Sequence, residues 1–254
     1  MHATINRRWV DRSCRAALRT FPPFSELDRG TLARLAAAGE LRRAPAGVVL
    51  IEQDSTACDL NVIVRGAVKV VRSMGPSAGS STVVLDVAVA PTLVGGESLF
   101  DGRAQTASLV TLQPTQMIVI ARDQALLVAA SQPKLGRALL AHLTHTLRAR
   151  VRRLDEVMSG PVEDRVRRLL GALDREHGIP MVGGRLIPLP LRRRDIASMV
   201  DATTETVSRI LARLEREGLT RTTMDGIWLR SGPDGGTEIR TLPPSGPQRH
   251  SVAG

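Results

Sequence analysis

The sequence predicts a mixed α+β chain: an N-terminal antiparallel β-roll, a long dimerisation helix and a C-terminal winged helix-turn-helix. Three observations lead there. Between Leu41 and Ile120, short β-branched runs alternate with Gly, Pro and Ser turns. From Arg122 the apolar period becomes helical. Further on, two closely spaced helices with apolar faces precede a short hairpin.

Residues 1–20 carry five arginines against one acid and read as a basic N-terminal arm. The β-roll domain is assigned to 21–130. Leu27, Leu32 and Leu35, with small Ala33 and Ala36 to Ala38, predict a short helix stopped at Gly39. Six strands follow: Val48–Ile51, Val62–Val64, Ala67–Val71, Val83–Val89, Ser108–Leu112 and Met117–Ile120. So many short strands at close spacing predict a sandwich or roll, with a flexible hairpin tip at Pro76 to Ser81.

Residues 131–160 form the predicted dimer helix. Leu140, Leu143, Leu147, Leu154 and Val157 fall at heptad a and d positions, the pattern of a helix that pairs with a copy of itself. Arg150 interrupts the seam, with Val151 beside it. Gly160-Pro161 breaks the helix and makes a hinge. Residues 161–230 are a second unit. Val166, Leu169, Leu170 and Leu173 mark an amphipathic helix stopped by Gly178. Ile187 to Leu191 reads as a strand, and Leu219 to Leu229 as a hairpin turning at Asp225-Gly226. The Gly-, Pro- and Ser-rich tail 231–254 reads as disordered.

Composition excludes several classes. The 254 residues carry a net charge of +10, with only two lysines among 35 basic residues and no tyrosine. So few rings argue against a stacking platform for single-stranded nucleic acid. The excess charge sits outside the middle: residues 21–130 are close to neutral, and the stretches flanking them are basic. A neutral module joined to a polyanion-binding one is the implied arrangement. No apolar run approaches the roughly 20 residues of a membrane span, and no apolar segment follows the N-terminal arginines. A cytoplasmic protein with no membrane partner is expected. Cys14 and Cys58, two isolated thiols, make neither a disulfide framework nor a metal knuckle. The histidines are His2, His142, His145, His177 and His250, so the β region has none for a metal-dependent enzyme. No phosphate-binding Gly-rich loop with a Lys and no nucleophile elbow occurs. The chain reads as a non-enzyme.

The sharpest local signal is Arg193 to Leu211. Ile196, Ala197 and Val200 make one apolar face; Val207, Ile210, Leu211 and Leu214 make the next. Ala197 is small enough for a helix crossing. Asp201 stands where the turn needs positive φ, and Thr203 can cap the second helix. That helix exposes Thr204, Glu205, Ser208, Arg209 and Arg213. Arg209 can grip guanine bidentately, Glu205 can accept from a cytosine amino group, and Ser208 can reach either base type. Thr204 completes the base-reading face. Arg192, Arg193, Arg194, Thr206 and Arg213 are the candidate phosphate contacts.

With these residues, the chain resembles the CRP/FNR family of bacterial transcription regulators. Glu205-Thr206-Val207-Ser208-Arg209-Ile210-Leu211, then Leu214-Glu215 and Gly218-Leu219, looks like that family's recognition helix and wing. The resemblance extends over about residues 20–230. Pro45-Ala46-Gly47, Val64-Arg65-Gly66-Ala67-Val68 and Gly96-Glu97-Ser98-Leu99-Phe100 fall where its cyclic-nucleotide-binding-like roll has turns and a ligand cassette. Thr204 sits where the CRP branch has an arginine, so the recognition helix is nearer the FNR-like branch. The resemblance implies a homodimer reading a pseudo-palindrome of half-sites similar to TTGAT, and RNA polymerase as a partner if the protein activates.

The resemblance also implies an effector pocket of Gly96, Glu97, Gln105, Thr106 and Arg150. In nucleotide-binding members the cassette Glu holds ribose hydroxyls and an Arg clamps the cyclic phosphate. Gly96, Glu97 and Thr106-Ala107 match, but Gln105 stands at the clamp and loses a bidentate contact. Arg103 is the candidate substitute cation. Glu97 has a plainer reading as a turn acid capping backbone NH groups. An iron–sulfur cluster needs four cysteines and is excluded. Haem would need His142 or His145, whose plainer reading is exposed helix histidines. Arg150 either meets an anionic effector or snorkels to solvent. The effector stays open between these. The expected function is therefore a duplex-DNA-binding transcription regulator controlled by an unidentified effector. The alternative is a ligand-binding signalling module whose helix-turn-helix contacts protein.

Overall fold

The computed structural model describes residues 15, 16, 18, 19, 21–25, 27–75, 81–232 and 236–240, with the side chains of 22, 23, 81, 152–158 and 240 excepted. The chain divides into two compact units, Met1–Arg153 and Leu154–Gly254. The Pro76–Ser81 tip and residues 241–254 fall almost wholly outside the described residues.

In the first unit, the described residues 15, 16, 18 and 19 are helical, and two short helices follow, α1 (Pro22–Ser25) and α2 (Arg29–Ala38). Asp28 caps α2 by accepting the Thr31 N–H, and Gly39 ends it. The strands are β1 (Gly39–Ala44), β2 (Val49–Ile51), β3 (Leu60–Arg65), β4 (Ala67–Met74), β5 (Ser81–Val89), β6 (Thr92–Val94), β7 (Ser108–Thr111) and β8 (Thr115–Ile120). Helix α3 (Gly96–Asp101) separates β6 from β7. Helices α4 (Arg122–Ser131) and α5 (Pro133–Met158) follow β8. The strands build two antiparallel sheets in the orders β1-β8-β3-β6 and β2-β7-β4-β5.

Side-chain alternation in β3 and β8 feeds two cores at once. Leu60, Val62, Ile118 and Ile120 face the helices, where they meet Phe21, Phe24, Leu32 and Leu35. Ile63, Met117 and Val119 face the second sheet, where they meet Ile51, Val68 and Leu109. Both strands therefore contain a continuous apolar stretch, Val62 to Val64 and Met117 to Ile120. The tight β3–β4 turn needs Gly66, at φ 92°: a Cβ there would lie 2.6 Å from the Pro114 carbonyl oxygen.

Three expectations change in this unit. The basic arm 1–20 is not all arm: Leu18 is fully buried in the helical core, and Phe21 N–H donates to its carbonyl. Strand β1 was not anticipated, because Gly-Glu-Leu-Arg-Arg-Ala carries no β-branched residue and forms a sheet edge. Strand β6 is a further addition: three residues directly after Pro91, with only Thr92 and Val94 β-branched.

The second unit contains α6 (Val162–His177), β9 (Ile179–Met181), β10 (Gly184–Ile187), α7 (Arg193–Met199), α8 (Thr204–Arg216), β11 (Thr220–Thr223) and β12 (Gly226–Arg230). Its sheet has the order β11-β12-β10-β9. Val166, Leu170, Leu173, Val200, Val207 and Leu214 are all buried in it, as their spacing requires. The strand expected at Ile187 to Leu191 ends at Ile187. Pro188 and Pro190 cannot donate to a ladder, and the Leu189 and Leu191 N–H groups turn back to Ile187 and Leu189. The hairpin turns one residue earlier than expected, on Met224-Asp225, because Thr223 pairs with Gly226. Residues 231–240 are also not disordered where described. Ser231 bridges to Thr237, and Thr237 and Ile239 are buried. Composition hid this, since two buried side chains among Gly and Pro suffice to dock the segment.

Candidate nucleic-acid interface and sensor site

Helices α7 and α8 are set by their caps. The Arg192 N–H donates to the Asp195 carboxylate at 3.0 Å, closing the start of α7. Arg192, Arg193 and Arg194 stand exposed there. The turn uses Asp201 at φ 49°, the left-handed conformation its position calls for. The Ala202 N–H returns to the Ala197 carbonyl at 2.9 Å. Thr203 then caps α8, accepting the Thr206 N–H at 3.2 Å, while the two hydroxyls meet at 2.9 Å. Arg165 of α6 supports the turn by donating to the Asp201 carbonyl at 3.4 Å. Reading the sequence did not single it out, since that contact crosses 36 residues.

Helix α8 buries Val207, Ile210, Leu211 and Leu214 and leaves the other side outward. Thr204, Glu205 and Arg209 are exposed, and Ser208 and Thr206 half-buried. Glu205 and Arg209, one turn apart, lie at 3.9 Å. Such a pair in open solvent contributes little to stability, so both groups remain available to an incoming surface. Arg213 differs from expectation. It is ion-paired with Glu163 of α6 and lies 4.0 Å from Glu217, so two carboxylates hold a side chain expected to meet phosphate. On the wing, the Arg221 guanidinium sits 5.5 Å above the Trp228 ring.

The sensor residues converge around α3. Gly95 enters the helix at φ 63°. Gly96 is buried: a Cβ there would lie 3.1 Å from Leu143 Cδ2 of α5. Glu97 Oε1 accepts the Thr106 hydroxyl at 3.3 Å and lies 3.8 Å from Arg150 Nη1. Its side chain thus does not cap a turn, as the plainer reading had it. Gln105 does not line an opening. It is 2 % exposed, and its Nε2 donates to the Ala57 carbonyl at 2.5 Å. Its backbone pairs with Asp54 and Ser55. The neutral amide clasps two loops where a guanidinium was in question. Arg103 is exposed, its N–H held by Asp101. Half-buried Cys58 contacts the carbonyls of Thr56 and Arg103, and Cys14 lies outside the described residues.

His142 is not an exposed helix histidine. Its ring meets Phe21 edge-on at 5.2 Å, and Nε2 lies 3.4 Å from the Leu93 carbonyl oxygen. Burial holds its imidazole below the ordinary range, with a smaller push from His145. Among the described residues no group of three or more His, Cys, Asp or Glu is placed to hold a metal. Along α5, Leu140, Leu147 and Val151 are 56 %, 62 % and 51 % exposed. Leu143, also expected in that seam, is half-buried and lies against Gly96, and Arg150 turns toward Glu97. The side chains of Leu154 and Val157 lie outside the described residues.

The family description "Crp-like helix-turn-helix domain" matches residues 164–231, and "Cyclic nucleotide-binding domain" matches 41–131. A CRP-like cAMP-activated global transcriptional regulator of Mycobacterium tuberculosis is 26% identical over 178 residues, 70% of this chain and 78% of that protein. A cyclic AMP receptor protein of Thermus thermophilus is 26% identical over 180 residues, 71% and 79% of the two chains. Among solved structures, the c-di-GMP responsive global regulator CLP of Xanthomonas campestris has a TM-score of 0.67 at 21% identity, covering 81% of this chain and all of that one. FixK2 of Bradyrhizobium japonicum has a TM-score of 0.65 at 21% identity, covering 76% and 93%. At that identity both share the fold.

Proposed function

We propose, on the premise that this chain belongs to the CRP/FNR family of transcription regulators, that it is a homodimeric regulator reading a pseudo-palindromic duplex site. The family's members bind DNA through the winged helix-turn-helix and respond to a ligand in the β-roll. For this chain, the proposal assigns base reading to Thr204, Glu205, Ser208 and Arg209. Arg192, Arg193, Arg194 and Thr206 position the helix on phosphate. The half-site is FNR-like, resembling TTGAT. The observation that carries this is the α8 surface, where Glu205 and Arg209 stand open to solvent and face each other at 3.9 Å.

In the proposed docking, two recognition helices enter successive major grooves of one DNA face. The second copy lies along Leu140, Leu147 and Val151, exposed apolar residues spaced as a helix seam requires. An activator of this design would also contact RNA polymerase. A regulator that reads duplex DNA in this way acts in the cytoplasm. Among the described residues, no helix is long and apolar enough to cross a membrane. No chemical step is assigned to the chain.

Arg209→Ala tests the reading. It should cost about 1–3 kcal/mol on the cognate site and relax preference at one base pair. Unchanged affinity and specificity would overturn the docking. Steep salt dependence separates DNA binding from the protein-contact alternative, since phosphate neutralisation demands it.

A further inference from the structure

Arg150 is under-satisfied where it stands. Its Nε is fully enclosed and has no hydrogen-bond partner. Its one ion-pair contact among the described residues is Glu97, at 3.8 Å from Nη1, within ion-pair reach but too long for a hydrogen bond. Glu97 Oε1 is shared with the Thr106 hydroxyl. A guanidinium offers five donors in a planar fork suited to two oxygens of one anion. Meanwhile the cassette position that would supply a cation holds Gln105, neutral, buried and spent on the Ala57 carbonyl. Among Gly96, Glu97, Gln105, Thr106 and Arg150, the cationic side chain is Arg150, on helix α5.

We infer that Arg150 is the anion receptor of the sensor. It takes a small oxyanion, a carboxylate or a phosphate monoester, in competition with Glu97. This deepens the regulator reading above and rests on it. Leu143 and Arg150 lie seven residues apart, so they share one side of α5, and they meet adjacent residues of α3, Gly96 and Glu97. An oxyanion on Arg150 releases one of these two attachments. The helix so released also carries exposed Leu140, Leu147 and Val151. Ligand binding therefore acts on the surface proposed for dimerisation.

The test uses the full chain and inorganic phosphate as probe, against chloride at equal ionic strength, with thermal unfolding as readout. Wild type should show a saturable rise in Tm. Arg150→Met should lose it, and Arg150→Lys, which keeps charge without the fork, should show a weaker one. Glu97→Gln removes the competitor, so half-saturation should fall about two- to fivefold. A ligand gripped by Glu97 through hydroxyls, as a ribose would be, predicts weaker binding in Glu97→Gln. That outcome, the same with cyclic AMP as probe, an unchanged response in Arg150→Met, or no response in wild type would each overturn the inference. Far-UV circular dichroism of Arg150→Met checks that the variant is folded. These readouts involve no DNA, so failure here is distinct from failure of the Arg209→Ala test.

Discussion

Arg213 of the recognition helix is ion-paired with Glu163, near the start of α6. The same carboxylate takes the Arg167 guanidinium at 3.0 Å, and Arg167 lies 3.8 Å from Glu217, which closes the ring back to Arg213 at 4.0 Å. Two acids and two arginines alternate around a ring that joins α6 to the C-terminal end of α8, where Glu217 is the cap. The Arg167 side chain is only 9% exposed, so its charge depends on these partners. The quartet adds a charged tie to the apolar contact that orients the recognition helix.

Glu163→Gln should therefore destabilise the DNA-binding unit by about 1.5–3 kcal/mol in urea unfolding, because two guanidinium groups lose one carboxylate. Arg213→Gln should cost less, about 0.2–1 kcal/mol, since that side chain is nearly half exposed. The slope of log affinity on log salt should stay as in wild type for Arg213→Gln. A slope reduced by roughly one would instead make Arg213 a phosphate contact.

This quartet marks where sequence reading stops. Apolar spacing located α6, α7 and α8 because burial on one face imposes a helical period on the sequence itself. The Asp201 turn was equally legible, since φ near 49° restricts the residue locally. The partner of Arg213 was not, because Glu163 lies 50 positions away and nothing local marks the approach. Gln105 shows the same limit from the other side. Its position in the cassette could be aligned, but its burial against Ala57 depends on a loop 48 residues earlier. His142 read as exposed because Phe21, the ring it meets, comes from the opposite end of the unit's sequence.

The segment after β12 supplies a second expectation. Thr237 donates to Asp174 at 3.5 Å, and Asp174 is fully buried with Arg185 at 2.6 Å. Ile239 is buried beside them, and Glu238 pairs with Arg230 at 3.5 Å. Ile239→Ala should lower the stability of the DNA-binding unit by about 2–3 kcal/mol in urea unfolding. Ending the chain at Arg230 should lower it at least as much. The family match stops at residue 231, so this clasp lies beyond the matched domain. Unchanged unfolding on truncation would show that it contributes nothing.

The lowered His142 imidazole makes stability depend on pH. Burial favours the neutral ring in the folded state, while the unfolded ring titrates near its ordinary value of 6.5. Below that value the unfolded state binds the extra proton, so stability falls as pH falls, and it levels off once the folded ring is also charged. Urea midpoints measured from pH 8 down to pH 5, about the window in which histidine titrates, should show this decline. His142→Phe should flatten the His142 share of it. An identical pH profile in that variant would assign the decline to other groups.

The two leucines Leu143 and Leu147, one turn apart on α5, should respond in opposite ways to a charge. Leu147 is 62% exposed, and with Leu140 and Val151 it forms an apolar stripe facing away from its own unit. Leu147→Glu should leave the isolated chain folded, because the carboxylate remains hydrated, and should turn dimer into monomer in sedimentation equilibrium. DNA affinity would fall with it, since one half-site alone provides about half the contacts. Leu143 lies against Gly96, where even a Cβ on the glycine would meet it at 3.1 Å. A glutamate there puts an unpaired charge beside Leu93 and Gly96, so Leu143→Glu should destabilise the sensor itself. If Leu147→Glu still sediments as a dimer, the stripe is not the seam. If Leu143→Glu gives a stable monomer instead, the seam runs along the other side of α5.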